Sequence, residues 1–165
     1  MLFRSHVVSS KTTSFSSISH SVKAYGDSSF NSAEVIVSNQ DLDLAVLKFE
    51  INQRTNIEML DIYQRLGYRF KANEMVFAIG NPLRYTNNVS IGRYERLVYI
   101  ENVDFFVIEH SAEIDEGSSG GALVDVEGNL IGVNTWGSNN GLKSYAIPIF
   151  VLYNFLVSND IIIND

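Results

Sequence analysis

The chain has 165 residues, 45% of them hydrophobic and 12% aromatic, with a net charge of −7 and no cysteine. This composition supplies a buried core, and the missing thiols exclude disulfides, thiolate metal sites and cysteine catalysis together. The acidic balance argues against nucleic acid as a partner, because phosphate binding needs clustered Lys and Arg. No apolar run reaches the ~20 residues of a membrane-spanning helix, and the opening "MLFRSHVVSS" lacks the sustained apolar core of a secretory signal.

In chain order, Ser9 to Ser32 is rich in Ser and Thr and reads as loop, with one weak strand around Ser21 to Tyr25. "AEVIVSNQDLDLAVLKFE" holds two β-branched runs about a polar turn at Asn39 and Gln40, which predicts paired strands. "IEMLDIYQRLGYRF" is compatible with a short helix or an irregular connector. "EMVFAIGNPLRY" predicts a strand through Val76 to Ile79, stopped by Gly80, Asn81 and Pro82. "NVSIGRYERLVYI" and "DFFVIEHSAEI" predict two further strands, and "ALVDVEGNLIGVNTW" a hairpin with a two-residue Glu127-Gly128 tip. "SYAIPI" is a short strand, after which Pro148 opens a terminal helix over "IFVLYNFLVSND". Many short strands and one clear helix make the chain all-β, a sandwich or barrel.

Serine hydrolysis needs an oxygen nucleophile, an imidazole to take its proton and a carboxylate to orient that imidazole. The histidines are His6, His20 and His110. His6 lies in "RSHVV", Asp43 in "DLDLAVL" and Ser119 in "GSSGG", which is the order His, Asp, Ser found in chymotrypsin-like barrels. Each alone has a plainer reading. "GSSGG" is more often a flexible turn, and Asp41 competes with Asp43, which is preferred because it abuts the apolar run while Asp41 is solvated or caps the turn. His20 reads as a surface residue, and His110 as structural or at a rim. The histidines have no metal-ligand spacing, and neither HExxH nor an EF-hand loop occurs, so no metal or other cofactor is expected.

Taken together, "HVV", "DLAVL", "AIGNP", "GSSGG", "GNLIGVNT" and "YAIP" resemble, in order and over nearly the whole chain, trypsin-like serine peptidases of the bacterial HtrA (Deg) type. The resemblance implies an all-β, chymotrypsin-like fold of two six-stranded-type barrels with a short C-terminal helix. Residues 1–70 would be the barrel remnant carrying His6 and Asp43, and residues 71–165 the barrel carrying Ser119 plus the helix, together one peptidase domain. It further implies His6 as general base and then acid, Asp43 as its orienting carboxylate, Ser119 as nucleophile and acyl carrier, and the Gly117 and Ser119 amides as oxyanion hole. The substrate would be a peptide or unfolded protein. By position in the motifs, Ile114, Thr135, Trp136 and Ser138 would line the primary pocket, favouring small or medium apolar side chains over Arg or Lys. The family carries strands before its histidine, whereas five residues precede His6 here, so the first barrel is expected to be incomplete, and the family's PDZ domains are expected to be missing after the helix. Two functions stay open: a serine endopeptidase, or a catalytically impaired homologue that binds peptides. Oligomeric state and compartment are open as well.

Overall fold

The computed structural model describes residues 2–3, 19–23, 28–50, 59–67, 69–81, 88–101, 104–138, 141 and 143–161. The chain divides into two compact units, residues 1–59 and 60–165.

The first unit holds β1 (Leu2–Phe3), β2 (His20–Val22), β3 (Asn31–Asn39) and β4 (Leu44–Phe49), an antiparallel four-stranded sheet in the order β1-β4-β3-β2. Along β3, half-buried and exposed side chains alternate, the signature of a strand with one covered face. The small core is Val22, Ala45 and Leu47, backed by Ala33, Val35 and Phe49. The expected hairpin is present. Its turn is closed by the Leu42 amide donating to Asn39 Oδ1 at 2.9 Å and the Asp43 amide donating to the Gln40 carbonyl at 3.3 Å. Asn39 thus holds the turn, and Asp41 is exposed.

In the second unit β5 (Met75–Gly80), β6 (Asn88–Ile100), β7 (Phe105–His110), β8 (Ala122–Val124), β9 (Leu130–Gly137) and β10 (Ser144–Pro148) close into a barrel in the order β10-β7-β6-β5-β8-β9. Every strand has two neighbours, so closure removes the sheet edges. The interior is filled by Val76, Ala78, Tyr94, Ile108, Ala112, Leu123, Ile131 and Ala146. Helix α1 (Ile149–Ser158) starts directly after Pro148, which ends β10 with φ −64° at the N-cap, and buries Ile149, Val151, Leu152, Phe155 and Leu156. It packs on β9 and β10.

The connector before the barrel is irregular over its described residues, with turns at 62–67. It is pinned by Arg65, whose buried guanidinium pairs with Glu74 at 2.7 Å and Asp125 at 2.9 Å. Asp125 organises the β8–β9 loop as well, accepting the amides of Glu127 and Asn129 at 2.9 Å each. That loop corrects the two-residue hairpin tip. Asp125 and Asn129 close it, Val126, Glu127 and Gly128 span it, and Gly128 takes φ +84°. This is a turn followed by a left-handed residue, the three-residue solution for a hairpin.

Candidate active site

The serine turn follows β7 and is built in layers. The segment after His110 lies along β6: the Ser111 amide donates to the Arg93 carbonyl and the Arg93 amide to Ser111 Oγ, both at 3.0 Å. Two residues further on, Ser90 Oγ donates to the Glu113 carbonyl. Gly92 makes this approach possible, because a Cβ there would meet the Ala112 amide nitrogen at 1.9 Å.

Beyond this the chain turns sharply. Gly117 and Gly120 take φ +98° and +83°, conformations that an L side chain resists. The amides of Ser118, Gly120 and Gly121 donate to the carbonyls of Asp115 (2.9 Å), Asn134 (2.9 Å) and Ser118 (3.0 Å). The Gly117 amide has no acceptor among the described residues. The turn separates the two serines. Ser118 is buried, with its Cα only 2.8 Å from where a Cβ on Gly80 would lie. Ser119 is half-buried, and its Oγ donates to the Thr135 carbonyl at 3.1 Å. A Cβ on Gly121 would stand 2.0 Å from the Ile79 carbonyl oxygen. Hence "AIGNP" and "GSSGG" are two sides of one contact, with β5's end packed under the serine turn.

The facing strand β9 carries a bulge that periodicity could not reveal. Asn134 pairs with Ala146 and Trp136 with Tyr145, so the β9–β10 register shifts at Thr135. A bulge re-aims the side chains after it. Accordingly Asn134 and Thr135 are both fully buried, while Trp136 emerges and stacks on Tyr145 with ring centroids 5.5 Å apart. Under this aromatic pair lies Glu109, 2% exposed, which accepts from Lys143 Nζ at 2.6 Å, Arg96 at 3.2 and 3.3 Å and Tyr145 Oη at 3.3 Å. Burial alone would raise the Glu109 pKa, but the hydrogen bonds and charges of Lys143 and Arg96 hold it below the usual carboxylate range.

Of the other expected pocket residues, Ile114 is half-buried against the barrel core and lies next to Gly137, whose Cβ position is 3.5 Å from the Ile114 carbonyl. Ser138 is half-buried; its Oγ accepts the Lys143 amide at 3.0 Å, and its own amide donates to the Lys143 carbonyl at 2.7 Å. Ile114 and Ser138 therefore flank Gly137, and the Trp136 ring lies on Tyr145.

In the first unit, Asp43 is half-buried at φ +54°, immediately before the fully buried Leu44 and Ala45. Asp tolerates the left-handed region better than most residues, which suits it to the neck of this hairpin. His6 lies outside the described residues. His20 is half-buried on β2. His110 is fully buried on β7, and neither ring nitrogen has a hydrogen-bond partner among the described residues. Burial pushes its pKa down to about 4, against a weaker opposing contribution from the Ala112 backbone.

The family profile of the trypsin-like peptidase domain matches residues 4–133. The chain belongs to the trypsin-like peptidase family. Within that family it is of the HtrA type. It is 30% identical to serine protease HTRA1 of Xenopus tropicalis over 166 aligned residues, covering 96% of this chain and 33% of the relative. Serine protease HTRA4 of Mus musculus is 35% identical over 121 residues, 70% of this chain and 24% of the relative. Among solved structures, an HtrA-type protease AlgW with a decapeptide superposes with a TM-score of 0.76 at 27% identity, over 96% of this chain and 47% of that one. The chain thus spans about a third of the length of the HTRA1 relative it matches. The closed barrel, the open sheet and the short helix of this HtrA-type domain are a chymotrypsin-like arrangement.

Among the described residues, no group of three or more His, Cys, Asp or Glu side chains is placed to hold a metal ion. No described helix is long and apolar enough to cross a membrane. Residue-type reasoning found the two serines but missed Gly80, Gly92 and Asn134, which shape their turn. A signal for Asn134 was available: it is a polar residue ending the apolar run of β9.

Proposed function

We propose that this chain is a serine endopeptidase that cleaves peptide bonds through a Ser119 acyl-enzyme. The observation that carries the reading is the serine turn. One serine is buried as structure, and its neighbour is left half-buried between two left-handed glycines, inside an HtrA-type domain. Ser119 attacks the scissile carbonyl, and His6 accepts its proton and returns it to the leaving amine. Asp43 orients the imidazole and stabilises its charged form. The Gly117 and Ser119 amides stabilise the oxyanion, and removing one such donor typically costs ~3 kcal/mol in the transition state.

The primary pocket is formed by Ile114, Thr135 and Ser138, with Trp136 at its rim, and takes small or medium apolar side chains. A peptide or unfolded segment adds as a short strand beside Asn134 to Trp136, the end of β9 that lies beyond its pairing with β8; two solved neighbours are HtrA-type proteases with a decapeptide and a tripeptide, which supports a peptide as ligand.

The test is fluorophosphonate labelling of the chain against Ser119→Ala. Labelling that disappears in the variant is expected. A folded wild-type chain that never labels yet binds peptides would replace this reading with a non-catalytic peptide-binding module. Activity rising with pH through a histidine pKa near ~6.5 is expected, and a profile flat down to pH ~4 would remove the histidine base. A peptide library cut mainly after Arg would overturn the apolar pocket.

A further inference from the structure

We infer that Asn134 is a positioning residue that sets the serine turn, and that through it the barrel interior controls the reactivity of Ser119. The inference about reactivity rests on the peptidase reading above; the inference about the turn does not.

Asn134 grips three consecutive residues immediately after the nucleophile. Its carbonyl accepts the Gly120 amide at 2.9 Å, and its amide donates to the Gly121 carbonyl at 2.8 Å. Its side-chain Nδ2 donates to the Ala122 carbonyl at 3.1 Å. The next carbonyl along the strand, that of Thr135, accepts the Ser119 hydroxyl itself. Two residues of β9 therefore hold the turn from Ser119 to Ala122. The two main-chain bonds need no particular side chain; only the bond to Ala122 depends on residue type.

The setting makes this side chain expensive to keep as mere filling. Asn134 is 0% exposed and pairs with Ala146, a residue of the apolar barrel interior. Its Oδ1 has no hydrogen-bond partner among the described residues. A buried acceptor without a partner is unfavourable, and an apolar side chain of similar volume would avoid it. Such a side chain could not hold the Ala122 carbonyl. Ala122 is the first residue of β8, and the β8–β9 register shifts only two residues further on. Fixing its carbonyl anchors the turn where the ladder begins. The Thr135 bulge, which leaves both Asn134 and Thr135 buried, is what allows side chain and neighbouring carbonyl to act on the turn together.

The experiment compares Asn134→Leu and Asn134→Ala with Val151→Ala, a change in α1 that loosens the core without touching the turn. All are measured well below their melting temperatures, with Asn134→Ser as a further variant should the first two not fold. The fluorophosphonate labelling rate per folded molecule is expected to fall about 10- to 100-fold in the Asn134 variants, as for a misplaced reacting group. The kcat on a peptide substrate falls by a similar factor with KM nearly unchanged. Val151→Ala lowers Tm and labels at the wild-type rate. Asn134 variants that label like wild type once folded would overturn the proposal, leaving Asn134 a stability residue only. If the wild-type chain itself does not label, the peptidase reading fails instead. Amide hydrogen exchange then decides the positioning role: faster exchange at Gly120 and Gly121 than at β7 amides in the variants supports it, and unchanged exchange there overturns it.

Discussion

Asp43 stands at the neck of a hairpin in a four-stranded sheet, whereas Ser119 stands on a turn gripped by the strands of a closed barrel. The hydrogen bonds of the Asp43 turn include two within its own hairpin, from the Leu42 amide to Asn39 Oδ1 and from the Asp43 amide to the Gln40 carbonyl. The serine turn is held from β5 through Gly80 and Ile79, and from β9 through Asn134 and Thr135. The clusters differ in the same sense: among the described residues, buried Val22, Ala45 and Leu47 cluster under the sheet, whereas eight buried residues cluster inside the barrel. The first turn is in part locally encoded, through bonds within its own hairpin. The second is imposed by partners far away in sequence, so it is rigid and intolerant of added volume. The acid of the proposed triad thus sits on the adaptable side and the nucleophile on the fixed side.

The largest expected effect tests the fixed side. Gly121→Ala places a methyl group 2.0 Å from the Ile79 carbonyl oxygen, a backbone atom that cannot swing away. A loss of ~3 kcal/mol or more in denaturant unfolding is expected; a variant as stable as wild type would show that the barrel's grip is looser than the contacts imply.

Next comes the acid limit of the barrel. His110 is neutral when folded, with its pKa held down to about 4 by burial against an ordinary 6.5, so the unfolded chain binds the extra proton between those values. Its stability contribution is fully present above pH ~6.5 and is lost as pH falls toward ~4, by about 3 kcal/mol in all. Urea titrations across that range report it, and His110→Leu is expected to flatten the slope. An unchanged slope in the variant would assign it to other groups.

A smaller effect reads the adaptable side. At φ +54°, Asp43→Ala meets a steric cost of ~1 kcal/mol that Asp43→Gly avoids. Glycine more stable than alanine at 43 is therefore expected in thermal melts, and equal Tm values would mean the turn relaxes. The smallest effect is a control: Gly67 has nothing within 4 Å of an added Cβ, and Gly67→Ala is expected to change stability by less than ~0.5 kcal/mol.

The strands and the helix were legible because their signals are local. Alternation in β3 and Pro148 before α1 act within a few residues. The hairpin tip was misjudged by one residue because Asp125, which bridges the Glu127 and Asn129 amides, outweighed the Glu-Gly pair. The connector stayed ambiguous because its position depends on Arg65 meeting Glu74 and Asp125, one of them sixty positions away. Trp136, adjacent in sequence to Thr135, was expected in the same pocket wall. A bulge, invisible to periodicity, lies at Thr135, and the Trp136 ring stacks on Tyr145.

The sequence by itself determined the all-β class and the strand segments from β3 onward, because turn chemistry and side-chain type act at short range. The HtrA-type resemblance of its motifs, not the local residues, made Ser119 rather than Ser118 the candidate nucleophile. Only the tertiary structure decided why that turn holds its shape. Gly80, Gly92, Asn134 and the Thr135 bulge matter through backbone approaches of a few ångströms between segments tens of residues apart, and no local pattern encodes such a distance.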